Sequence, residues 1–153
     1  SHQHMHVLPG VLDIVLDLCA SARIPAMRAP RAPLFAGSFG GIGQLIGRTG
    51  LAVLAHRAAA KAQRCGIRTP DHFAGIVAGE AVNTAALAEI AASLGEGATE
   101  VMLHPGTDNA VLMRDCLWQH DFEAELAAVT SSAVRDALTA SGATAVNFHA
   151  LVP

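Results

Sequence analysis

Apolar residues along the chain alternate between helical spacing and short continuous blocks. Val11, Leu12, Val15, Leu16, Leu18 and Cys19 recur three and four apart, which predicts a helix from the Pro9-Gly10 turn to about Ser21. Leu51–Cys65 is alanine-rich and helical, with Gly66 as the C′ residue that closes it. Asn83 is a good N-cap for a helix over Thr84–Leu94, which Gly95 and Gly97 stop. Asp121 caps Phe122–Val129, and Ser131 or Ser132 caps a last helix to Ala140, ended by Gly142. Between these lie short apolar runs near 2–8, 24–29, 73–77, 99–104 and 144–148, each read as a strand. Strands alternating with helices, without a hairpin signal, predict a single α/β domain over 1–153 with a mainly parallel sheet.

Composition narrows the class. Apolar residues make up 52% and charged residues 15%, a globular balance rather than a disordered one. A net charge of -3 with scattered basic residues leaves no footprint for nucleic acid. No apolar run is long enough to span a bilayer. Cys19, Cys65 and Cys116 form no CxxC pair, and Cys19 and Cys65 fall in helical patterns as small buried hydrophobes. A reducing cytoplasm is the expected compartment.

Candidate chemistry gathers at three strand ends. If 2–8 is a strand, His2, His4 and His6 share one face, and imidazole is a common ligand for divalent metals. The ordinary alternative is a residual affinity tag. His104-Pro105-Gly106 ends another strand, and Arg28 and Arg31 flank Pro30 at a third. In parallel α/β folds, sites collect at the carboxyl ends of strands. Gly41-Ile42-Gly43 with Gly47 lacks the dinucleotide spacing and reads as a connection into a packed helix. Asp108 reads as a turn aspartate, and His56, His72, His120 and His149 carry no partner pattern.

These segments resemble a known family. Ser1-His2-Gln3-His4-Met5-His6-Val7-Leu8-Pro9 is similar to the S-H-x-H-x-H segment of the YdjC-like (ChbG/HpnK) carbohydrate deacetylases. Ala26–Arg31 resembles the arginine–proline segment of that group, and Gly66–Phe73 its G-x-x-T-P-D-x-F segment. Glu100–Gly106 resembles the E-x-M-x-H-P-G strand end, and His120–Arg135 the closing helix. The subgroup associated with hopanoid biosynthesis is the nearest resemblance.

The resemblance implies a partial (β/α) barrel whose N-terminal strands, with an aspartate pair and a further histidine, are not among these residues. The chain then reads as the C-terminal part of a longer catalytic unit, completed by the missing half or by a homo-oligomeric partner. The implied activity is metal-dependent N-deacetylation of an acetylated amino sugar or glycolipid sugar, using a divalent ion, zinc or magnesium. His2 is implied as a metal ligand, with His4 and His6 as ligands or lining groups. His104 is implied as the catalytic acid, and Arg28 and Arg31 as holders of substrate oxygens or a catalytic carboxylate. Two other classes stay open: a non-catalytic half-barrel assembly module, and a metallohydrolase of the same scaffold with another substrate.

Overall fold

The structure, a computed structural model, describes residues 3–31, 42–76 and 81–152. His2 and Gly41 therefore lie outside the described residues, whereas Ile42, Gly43 and Gly47 belong to the helix that opens at Ile42. The fold is mixed α/β. In chain order, a 3-10 turn Met5–Val7 precedes α1 (Val11–Ser21), α2 (Ile42–Arg64), β1 (His72–Ala74) and α3 (Thr84–Ala92). Then follow β2 (Thr99–Val101), α4 (Asn109–Cys116), α5 (Phe122–Thr130), α6 (Ser132–Ala140) and a 3-10 turn Phe148–Leu151. β1 and β2 pair, and the His72 N–H to Ala98 and Met102 N–H to Ala74 bonds advance together along both, so the pair is parallel.

The chain forms two compact units. The first comprises residues 1–73, 97–100 and 146–153; the second comprises 74–96 and 101–145. In the first, Leu12, Leu16 and Cys19 of α1 share a core with Ala58 and Ala62 of α2, Val7, Met27 and Ile67. Alanine at the contact lets backbones approach closely, as the fully buried Ala55, Ala58 and Ala62 of α2 illustrate. α2 ends in a Schellman motif. Gly66 at φ 74° donates to Gln63, and Ile67 donates back to Ala62.

The second unit packs α3 against α5 and α6 around Val82, Leu87 and Ala128. Each helix start follows its side-chain chemistry. Asn83 accepts from Ala86 N–H at 3.0 Å, Asp121 from Ala124 N–H at 3.0 Å, and Ser131 from Ala133 N–H at 3.2 Å.

Several strand expectations need correction. Residues 5–7 form a 3-10 turn rather than a strand, entered through His4 in the left-handed region at φ 57°. His4 and His6 therefore do not line one face of a strand. Segment 24–29 contributes a single parallel bridge, Ala26 to Arg68, because Pro25 and Pro30 remove ladder donors on either side. β1 stops at Ala74 because Gly75 takes φ 94°, where a Cβ would overlap the Met102 carbonyl. Residues 144–147 form no strand; Asn147 instead accepts from the His149 N–H at 3.0 Å and opens a 3-10 turn. Cys65, expected buried, is exposed past the end of α2. Among the described residues the sheet has two strands and does not close into a barrel.

Candidate functional site

Within the second unit, the chain leaves β2 through Met102 and Leu103 and delivers His104 to a cluster of rings. The Pro105-Gly106 step that follows is sterically required. A Cβ on Gly106 would overlap Leu112 and lie 3.0 Å from Phe122, while the Gly106 N–H donates to the Phe122 carbonyl at 3.0 Å. The loop is thereby pinned to the start of α5.

Glu125 organises the cluster. Phe122, Glu125 and Ala128 fall on one buried face of α5, and Glu125 is only 1% exposed. A buried carboxylate is stable only when its lone pairs find donors. Here Oε1 accepts from the Val82 N–H at 3.0 Å and Oε2 accepts from the His104 N–H. His120 Nε2 lies 3.0 Å from Oε1 and, since a carboxylate only accepts, carries the proton. The ring of His104 turns Nδ1 toward Oε2 at 3.7 Å, so the buried carboxylate faces it. Trp118 stacks on His120 at 4.1 Å, and His104 meets Trp118 and His120 edge-on at 4.9 and 5.4 Å. This packing restricts both imidazoles to narrow orientations.

An acid four residues before Glu125 has a different task. Asp121 accepts from Asn109 Nδ2 at 2.8 Å and from Ala124 N–H, and these bonds, the Asn109 one foremost, hold its carboxyl below the usual range. Asp108 caps α4 by accepting from Val111 N–H at 2.9 Å.

The first unit carries a second polar cluster. Arg28 donates from Nε to Glu100 Oε1 at 2.7 Å, with Nη2 at 2.6 Å from the same oxygen. Its guanidinium carbon lies 5.5 Å from the Phe73 ring centre. The Arg28 carbonyl accepts from His6 Nε2 at 3.0 Å. Burial of His6 pushes its imidazole below its ordinary pKa, a shift the bond to Arg28 partly opposes. His4 is buried edge-on against Phe73 at 5.6 Å and against His6 at 6.2 Å. Arg31 donates to the Pro70 carbonyl, while its Nε and Glu100 Oε2 are buried without a hydrogen-bond partner among the described residues.

Of the residues singled out by sequence, the structure thus brings His4, His6 and Arg28 together in the first unit. It sets His104 in the cluster of the second. Sequence reasoning missed Glu125 and gave His120 no role. The available signal was helical phase: Glu125 lies three residues from both Phe122 and Ala128, so its carboxylate shares their buried face and needs partners.

A family described as YdjC-like protein matches residues 1–140. The chain belongs to the YdjC-like family. That family is related to carbohydrate deacetylases. No curated protein and no solved structure matches the chain. No helix among the described residues of this YdjC-like chain is long and apolar enough to cross a membrane.

The donor chemistry of the His104 cluster is consistent with a divalent metal. His104, His120 and Glu125 each offer one ligand atom, all within 4.8 Å of one another. Two imidazole nitrogens and one carboxylate oxygen make a mixed N/O set of the kind zinc accepts, with backbone N–H groups already orienting the carboxylate.

Proposed function

We propose that the chain is part of a metal-dependent N-deacetylase that hydrolyses the acetamide of an N-acetylated amino sugar or glycolipid sugar. The observation that carries this reading is the family match over residues 1–140 together with an imidazole, His104, set against a buried carboxylate. The Glu125 carboxylate, 3.7 Å from His104 Nδ1, is proposed to orient the imidazole that delivers a proton to the departing amide nitrogen. Trp118 packs against the same ring and limits its swing, so the proton is delivered along a restricted direction.

The proposed cofactor is a divalent ion, zinc or magnesium, with His2 among its ligands and His4 and His6 beside it. When bound, such an ion supplies Lewis-acid polarisation of the acetamide carbonyl and activation of water. Arg28, held by Glu100 and Phe73, and Arg31 are proposed to orient substrate oxygens through their remaining N–H groups. The aspartates that the family resemblance assigns to the base and the metal have no counterpart in residues 1–153. The proposal takes them from a companion segment or partner chain that carries them, which together with this chain forms one barrel-like unit. A cytoplasmic location and a role with hopanoid-type glycolipids belong to the same proposal.

The test is acetate release from N-acetylglucosamine-containing substrates by the chain supplied with an aspartate-bearing segment. Activity that a chelator abolishes and added magnesium, or zinc at no more than one equivalent, restores supports the reading. Absence of acetate under all metal conditions contradicts it.

A further inference from the structure

We propose that the His104–His120–Glu125 cluster is an inhibitory site for a borderline divalent cation of the zinc class. The consequence for activity rests on the reading of His104 as proton donor; the binding itself does not. Zinc–nitrogen and zinc–oxygen bonds near 2.0–2.2 Å place neighbouring ligand atoms about 3.4 Å apart in a tetrahedral site. His120 Nε2 lies 3.0 Å from Oε1 and His104 Nδ1 lies 3.7 Å from Oε2 of Glu125, and one ligand atom from each of the three residues lies within 4.8 Å of the others, so small side-chain shifts bring them to that spacing. Entry of the ion displaces the Nε2 proton of His120, which the ring regains at Nδ1 through solvent, and any Nδ1 proton of His104 passes to solvent. Both imidazoles are then neutral and ligated. Glu125 keeps its N–H donors from Val82 and His104, which serve as the outer support a ligating carboxylate requires.

Access is available from one side. His120 lines a cleft of about 400 Å³ together with Asn83, Met113, Gln119 and Asp121. Asp121, beside His120 in the chain, adds a carboxylate to the lining of that cleft. The selectivity follows from the donors: two imidazoles favour zinc, cobalt or nickel, whereas magnesium retains oxygen ligands and water. A zinc-class ion on His104 leaves no imidazolium to protonate a leaving group.

The chain carries its own reporter. Trp118 is the one tryptophan in the sequence, and it stacks on His120. Titration of the full chain with zinc should give a saturable change in its emission, and magnesium should give none. Glu125→Gln and His120→Asn should weaken the zinc response by more than about 100-fold, since each removes a ligand outright. Direct counting of bound zinc separates this site from ions held elsewhere on the chain. If neither variant keeps its circular-dichroism spectrum, cobalt absorption of the native chain decides, with intense visible bands expected for a tetrahedral N/O site. No emission change with zinc, an equal change in folded variants, or a weak octahedral cobalt spectrum would overturn the site. In the acetate assay, zinc at levels that saturate the Trp118 response should inhibit, and magnesium should not. Zinc that saturates Trp118 without inhibiting would leave binding intact and overturn the inhibitory role.

Discussion

Glu125 is the residue on which the second unit's local order depends most. Its carboxylate satisfies the N–H groups of Val82 and His104 and the ring of His120 from a position 1% exposed. Glu125→Ala strands buried donors and is expected to destabilise the chain by about 3 kcal/mol or more, read from urea unfolding. An unchanged midpoint would contradict the assigned bonds. His6 makes a pH prediction. Its folded pKa lies below the unfolded value, so the unfolded chain binds the proton more readily, and stability falls as pH drops below about 6.5. His6→Gln should flatten that part of the urea-midpoint profile between pH 7.5 and 5.5. A profile identical to the parent would show that burial of His6 carries no linkage. Asp13 and Asp108 are each engaged structurally: Asp13 pairs with Lys61, and Asp108 caps α4.

At the scale of elements, caps and punctuating glycines have the clearest consequences. Asn83→Ala removes the acceptor at the start of α3 and should cost about 1 kcal/mol. Gly75→Ala should cost about 2 kcal/mol or more, because a Cβ meets the Met102 backbone while φ stays at 94°. Thermal melts of both variants check these values, and a neutral Gly75→Ala would mean that the turn relaxes freely. The caps at Asn83, Asp121 and Ser131 and the stop at Gly66 were legible because each depends on one side chain and its nearest neighbours. The strands were less so. An apolar run such as 144–148 has the composition of a strand, but a ladder needs a partner, and local hydrogen bonding by Asn147 takes the chain into a 3-10 turn. Helix α4 was hidden for the opposite reason: its apolar residues Val111, Leu112 and Met113 are consecutive rather than helically spaced, none of its residues is buried, and its one clear signal is the Asp108 cap. His104 stood out through its Pro-Gly context, whereas Glu125 became significant only when folding brought three distant donors to it.

At the scale of the molecule, α1 buries Leu12, Leu16 and Cys19 and leaves Val11, Ile14 and Leu18 on its exposed side, the last two at 63% and 58%. That apolar stripe and the two-stranded sheet favour association. Light scattering of the chain alone is expected to show self-association, and an acetate assay of the same sample no turnover. A monomer that releases acetate would place the required carboxylates within residues 1–153. The central claim is that His104 supplies a proton in an amide hydrolysis. It is tested most directly by acetate release from the chain combined with an aspartate-bearing segment, wild type against His104→Ala, with magnesium as the sole divalent ion and bound metal counted in both. The account predicts equal metal content and a loss of turnover of roughly 10²–10⁴-fold in the variant. Full turnover by His104→Ala at equal metal content would contradict it.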